Sequence, residues 1–282
     1  MSITNLALAP LTVERLSINL ISLGTARPLQ QMLDACLRFD VHTVAPWQAH
    51  YGKAGAQAAI QAIRSRDMKV STVCRMSLFG PATTPTAWAQ AVDEGKRVLD
   101  EAAQMGASTV TFIGGGLPNG DKRLPDTRSR IRDGLGELLP YARSNGVALA
   151  IEPLHPMCVA DRGAVGTLQV ALDWATELGQ GTGVLVDTYN QWWDPALETV
   201  IGQSEGKIVG FQVSDWLVPT VDLAFDRGMM GDGVIDIAQI RAWVEKAGYH
   251  GPIEVEILSH RWSRLEPDEL IPLIIQRFKS AC

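Results

Sequence analysis

Eight short apolar runs recur along the chain, and a segment with helical spacing separates each from the next. The runs are Leu16–Leu20, Val41–Ala45, Val70–Cys74, Thr109–Ile113, Ala148–Glu152, Gly183–Asp187, Ile208–Val213 and Ile253–Ile257. They are continuously apolar rather than alternating, which is the pattern of strands covered on both faces. The clearest helix covers Trp88–Met105, with Thr84 or Thr86 as its cap and Gly106 as its end. Others cover Ala164–Leu178 before Gly179, Ile237–Ala247 between Asp236 and Gly248, and Pro267–Phe278. Weaker patterns span Leu29–Arg38, Ala54–Arg66, Arg128–Ser144 and Pro195–Gln203.

Eight strand–helix pairs predict an α/β fold, a single (β/α)8 TIM barrel. An open doubly wound sheet would place a Gly-rich fingerprint after the first strand. Here that strand leads into ISLGTARPL, which does not fit GxGxxG. No composition shift or repeat marks a second domain, so residues 1–282 read as one barrel domain. Residues 215–234 form its longest irregular stretch and follow the seventh strand. A loop of that length at a barrel mouth reads as a lid, and this one carries Arg227.

The composition excludes several classes. Acidic residues outnumber basic ones, 31 to 25, and no Lys/Arg run is present to track a phosphate backbone, so nucleic acid is not an expected partner. No apolar run approaches the ~20 residues of a membrane helix. The segment MSITNLALAPLTVERL lacks the charged start and apolar stretch of a signal peptide. Four scattered cysteines without a CxxC pair read as reduced thiols in a cytoplasmic protein.

Four consecutive strands end in residues able to hold a cation: Glu152, Asp187, Gln212 and Glu256. In a barrel these ends converge on one mouth. Three carboxylates brought together repel unless protons or a positive ion lie between them. With the amide oxygen of Gln212 they form an all-oxygen cage suited to one divalent metal ion. His155, in the loop after Glu152, is a candidate acid or base at neutral pH. Trp192, Trp193, Trp216 and Trp262 follow strands six to eight, where aromatic faces suit the apolar faces of sugars. Arg162, Arg227 and Arg261 are candidates to hold a hydroxyl, carboxylate or phosphate. Glu254 shares a strand face with Glu256, one layer deeper, where a salt bridge would hold it. GGGLPNG (Gly114–Gly120) lacks the Lys-Ser/Thr of a P-loop and reads as a flexible turn that lets substrate approach.

LAIEPLHP around Glu152, VLVDTYNQWWD around Asp187, FQVSDW around Gln212, and RGMMGDGVID followed by AGYHGPIEVEI around Glu256 carry a resemblance. Over roughly residues 147–258 the chain resembles the xylose isomerase-like TIM barrels, the sugar isomerase/epimerase superfamily that includes ketose 3-epimerases and inositol-pathway enzymes. The resemblance implies one divalent metal ion and two proton-moving glutamates, here Glu152 and Glu256. The metal polarises a carbonyl and its neighbouring hydroxyl. One glutamate removes the proton beside the carbonyl, and the other returns one from the opposite face. It also implies a small-molecule sugar or sugar derivative as partner. The candidate contacts to it are His155, Asn190, Trp216, Arg227 and Asp215. Barrels of this kind often pair, so a homo-oligomer stays open.

Two positions depart from the superfamily pattern. Gln212 stands where His is common, and Asn190 stands where His often follows the strand-six aspartate by three residues. A hard oxygen in place of an imidazole shifts the expected metal preference toward Mn²⁺ or Mg²⁺ and away from Zn²⁺. The same scaffold also permits a lyase, either a dehydratase of an inositol-derived ketone or a C-glycoside deglycosidase acting on a 3-oxo-glycoside. A sugar-binding barrel without turnover is a further alternative. The related DNA-repair endonucleases fit poorly, because their sites need many histidines and this chain has five.

Overall fold

The computed structural model describes residues 8–76 and 78–282. The opening residues 1–7 of the segment read against a signal peptide lie outside the described residues.

Among the described residues, nine parallel strands form a nearly closed barrel. They are β1 (Leu16–Asn19), β2 (Thr43–Ala45), β3 (Lys69–Val70), β4 (Thr72–Val73), β5 (Thr109–Phe112), β6 (Ala148–Ile151), β7 (Thr182–Asp187), β8 (Ile208–Val213) and, last in the chain, β11 (Ile253–Val255). A separate antiparallel ribbon joins β9 (Asp215–Trp216) to β10 (Arg227–Gly228). The sheet order is β3-β2-β1-β11-β8-β7-β6-β5-β4. Its two ends, β3 and β4, are halves of one stave interrupted at Ser71. The nine strands therefore correspond to the eight expected runs. Around the ring, β11, β8, β7 and β6 are successive neighbours, which sets the candidate ligand positions side by side.

Helices pack outside: α1 (Leu29–Arg38), α2 (Gly55–Arg64), α3 (Pro85–Met105), α4 (Leu124–Ser144), α5 (Leu168–Leu178), α6 (Thr188–Gln191), α7 (Leu197–Gln203), α8 (Ile237–Lys246) and α9 (Pro267–Ala281). Their ends follow the local chemistry. The Thr84 hydroxyl accepts the Ala87 N–H, so α3 starts before the expected Trp88. Thr167 caps α5 through Val170 N–H, which moves that start from Ala164 to Leu168. Asp236 caps α8 through Gln239 N–H. Gly106, at φ +74°, closes α3 in the left-handed conformation.

The apolar core lies between barrel and helices, with Ile18, Val44, Phe112, Leu149, Val186 and Phe211 buried. The barrel interior below the mouth is polar, unlike the continuously apolar packing expected of the strands. Ser17, Asn19, Ser71, Gln212 and Glu254 meet there in one hydrogen-bonded group.

The glycine-rich turn after β5 is a packing device, which corrects its reading as a substrate approach. A Cβ on Gly114 would lie 2.3 Å from Ile131 Cγ2, and one on Gly116 would lie 2.6 Å from the Ala160 carbonyl oxygen. Gly114 also has φ +81°. Gly114→Ala is expected to destabilise the fold by about 1–3 kcal/mol through overpacking, measured by denaturant unfolding. A variant as stable as the parent would remove this explanation.

Candidate metal centre

Three strand ends deliver the acids. Glu152 follows β6 and donates its N–H to the Phe112 carbonyl, at 3.0 Å. Asp187 is the last residue of β7. Glu256 follows β11 and donates its N–H to the Val213 carbonyl, at 3.1 Å. All three side chains are buried, and one oxygen from each lies within 4.8 Å of the others. These acids line the inner end of a cavity of about 480 Å³, either directly (Glu152, Glu256) or just behind its wall (Asp187).

Asn190, on the short helix α6 that periodicity does not reveal, ties the group together. Its Nδ2 donates to Glu152 Oε1 (3.0 Å) and to Asp187 Oδ2 (2.6 Å). Its Oδ1 accepts the N–H of His155, at 3.0 Å. Arg227, on β10, inserts a buried guanidinium. Its Nη1 donates to Glu256 Oε2 (2.9 Å) and Asp187 Oδ2 (3.3 Å), and the group lies over the Tyr189 ring at 4.5 Å. Three carboxylates and one guanidinium leave two net negative charges, which one dication would match.

Burial dominates the protonation of the site. It pushes Glu256 up to about 8, with Arg227 opposing. It pushes Glu152 well above the usual carboxylate range, and Glu256 and Asp187 add to that rise. It raises Asp187 as well, against the pull of Arg227. Burial works against the charge of Arg227, but Asp187, Glu256 and Glu152 hold it protonated. Burial lowers His155, so its imidazole is neutral near pH 7.

The structure gathers most of the residues expected from sequence. Glu152, Glu256, His155, Asn190, Trp216 and Arg227 all line the cavity. His155 is also a packed, capping residue: its Nδ1 accepts the Met157 N–H at 3.3 Å, and its ring lies 5.0 Å from that of Trp216. Trp216 in turn stacks on Tyr189 at 4.7 Å. Two residues are placed differently. Asp215 does not line the cavity, because its carboxylate accepts the N–H groups of Gly231, Gly233 and Ile235 and anchors that loop. Gln212 lies within the barrel wall, in register with Asp187 on one side and Glu254 on the other. Its Nε2 donates to Glu254 Oε1 at 2.8 Å, and its Oε1 is buried without a partner. An unpaired buried acceptor costs about 1–3 kcal/mol. The three carboxylates, all hard donors, fit a divalent cation, and the unpaired Gln212 oxygen stands on the strand next to Asp187.

Sequence reading missed Asn19, Trp47, Cys74 and Arg75. Asn19 Nδ2 donates to Glu256 Oε1 at 2.9 Å, and the other three line the cavity. Asn19 and Cys74 stand at strand ends, so the rule that picked out the acids would have found both if applied to polar residues and thiols.

The buried acidic triad lies at the C-terminal ends of parallel barrel strands, the face on which TIM-barrel enzymes carry their active sites. The chain belongs to the xylose isomerase-like TIM barrel family, whose model it matches over residues 33–281. Protein SMc04130 from Sinorhizobium meliloti 1021 superposes with a TM-score of 0.93 at 41% identity, covering 96% of this chain and 99% of that one. The IOLI protein, solved with a bound zinc atom, superposes with a TM-score of 0.79 at 16% identity, covering 94% and 96%. An L-ribulose-5-phosphate 3-epimerase of Salmonella paratyphi C is 29% identical over 136 residues, which cover 48% of this chain and 44% of the relative. The chain thus spans less than half the length of that curated relative. No helix among the described residues is long and apolar enough to cross a membrane.

Proposed function

We propose that the protein is a divalent-metal-dependent isomerase or epimerase that moves a proton beside the carbonyl of a keto sugar or polyol derivative. The observation that carries this reading is the convergence of Glu152, Asp187 and Glu256 at the inner end of one cavity. The names of the relatives, several of them sugar epimerases, support it. Glu152, Asp187, Glu256 and Gln212 would hold the cation, which when bound would polarise the substrate carbonyl and steady the negative charge that forms on its oxygen.

The chain's own groups supply the proton chemistry. Glu256 is fixed on both oxygens, by Asn19 and by Arg227, and the guanidinium favours its ionised form against the effect of burial. This suits a base that takes the proton as the C–H bond breaks and the electron pair moves toward the carbonyl oxygen. Glu152 has one oxygen held by Asn190. Its raised proton affinity suits the group that returns a proton to the other face of the same carbon, which restores the carbonyl and completes the epimerisation. Arg227 Nη2 has no hydrogen-bond partner among the described residues and is available to a substrate oxygen. His155, Trp216 and Asn190 would orient the sugar. The β9–β10 ribbon with its loop would act as the lid of one barrel domain in a reducing cytoplasm.

Incubating the protein with Mn²⁺ and keto-sugar candidates in heavy water tests this directly. Deuterium is expected to enter the carbon beside the carbonyl. No exchange with any ketose in the presence of bound Mn²⁺ would refute the proposal. A C-glycoside or inositol-ketone lyase is the second reading, favoured by the cavity's apolar outer wall of Trp47, Leu78, Met157, Leu223 and Phe225. Release of a phenol or loss of water would select it.

The all-oxygen ligand set also predicts metal choice. Turnover with Mn²⁺ or Mg²⁺ is expected to exceed turnover with Zn²⁺, and Gln212→His is expected to move affinity toward Zn²⁺ by about tenfold. Competition titration of the two metals checks this. Tight zinc binding by the unaltered protein, with zinc-dependent turnover, would contradict it.

A further inference from the structure

Glu254 lies two residues before Glu256 and points into the barrel below the mouth, 4% exposed. It has no arginine or lysine partner in a salt bridge among the described residues. Neutral donors surround it instead. Asn19 Nδ2 and Gln212 Nε2 both donate to its Oε1, each at 2.8 Å. Ser71 Oγ donates to its Oε2 at 2.9 Å, and Ser71 Oγ lies 2.8 Å from Ser17 Oγ. A buried carboxylate is retained at a cost, and no role in the proton chemistry above uses this one.

Its effect falls on Gln212. An amide has two ends, and only the oxygen can coordinate a cation. Gln212 is in register with Asp187, and beside a carboxylate the NH2 end is the one that would be drawn in, since it can donate and the oxygen cannot. An amide facing the cluster in that sense would close the metal position. Glu254 competes for the same NH2 group from below. A carboxylate oxygen that accepts two hydrogen bonds can take only the N–H end of the amide, so the Gln212 oxygen is left over. That oxygen is the buried, unpartnered Oε1. The second arm runs through Asn19, whose single NH2 group bridges Glu254 and Glu256.

We propose that Glu254 is a positioning residue for the metal centre. It holds the Gln212 amide with its oxygen free for the cation, and through Asn19 it steadies Glu256. This rests on the metal reading above and assigns the residue that presents the oxygen end of the glutamine amide.

Calorimetric titration with Mn²⁺ tests it. Glu254→Leu is expected to weaken Mn²⁺ binding about 10–100-fold, the usual effect of losing an outer-shell partner. Glu254→Gln is expected to stay within about threefold of the parent. Its carbonyl oxygen can still accept from Asn19 and Gln212 while its NH2 turns to Ser71. In a Gln212→Ala background, Glu254→Leu is expected to lose most of its effect, because the amide it orients is gone. Parent-like affinity of the Glu254→Leu variant, or an equal loss in both backgrounds, would overturn the proposal. If Glu254→Leu does not fold, NMR of the unaltered protein labelled at glutamine decides. On addition of Mg²⁺ the Gln212 Cδ resonance should move and its Nε2 protons should stay. The reverse pattern would overturn the proposal. Failure of the unaltered protein to bind Mn²⁺ at all would remove the metal reading itself, and so is distinct from these results.

Discussion

Glu152→Gln and Glu256→Gln are each expected to lower epimer formation by about 10³-fold, within the 10²–10⁴ range for loss of a positioned acid or base. The amide keeps the shape and one oxygen donor of the carboxylate but cannot carry the proton. Exchange should be measured with Mn²⁺ raised to saturation for each variant, so that lost metal binding is not read as lost proton transfer. The two variants are expected to differ. If Glu256 removes the proton, Glu256→Gln stops wash-in altogether. Glu152→Gln should still permit some exchange on the first face, with no epimer formed. Full activity in both variants would exclude the two-glutamate scheme.

The metal-free protein is expected to become less stable as pH rises from about 5 to about 8. The sign follows from the direction of the shifts. Burial raises Glu256 from 4.5 to about 8 and moves Glu152 well above 4.5. Below about 4.5 the folded and unfolded chains both carry these protons, and the contribution to stability is intact. Above that, the unfolded chain gives its protons up while the folded chain keeps them, so stability is lost until the folded groups ionise. Each pH unit in this window lowers stability by about 1.4 kcal/mol for each group that stays protonated in the folded chain. The melting temperature is expected to fall by about 2–4 °C for each kcal/mol lost. Mn²⁺ at saturation should reverse the trend, because it binds the ionised folded site. Glu256→Gln should remove much of the slope. Melting curves across this pH range check all three statements, and a flat profile identical in parent and variant would show that these acids do not carry the shifts.

The barrel was legible because strands packed under helices must be apolar along their whole length, and helix ends must be capped. The β7 and β8 runs extend as the pattern indicates, and Thr84 and Asp236 cap as expected, whereas Thr167 starts its helix later than the pattern suggests. The acids were legible for the opposite reason: a charge at the end of such a run needs a partner. What stayed hidden depends on contacts between distant segments. Asp215 reads as a substrate contact, but three backbone N–H groups from residues 231–235 take its oxygens. Asn19 ends β1, but its bonds to Glu254 and Glu256 join segments far apart in the sequence. Glu254 was expected in a salt bridge, whereas amides and a hydroxyl hold it. The glycines after β5 suggested mobility, yet a neighbouring helix and loop leave no room there for a side chain.

Arg227 stands on the ribbon whose loop roofs the cavity, with Leu223, Ala224 and Phe225 over the mouth and the Tyr189 hydroxyl bonded to the Leu223 carbonyl. The roof and the neutralising charge are therefore carried on one segment of the chain. Were that segment to open as the proposed lid, it would also withdraw a cation from the acids beneath it, and an entering molecule would meet those acids without their counter-charge.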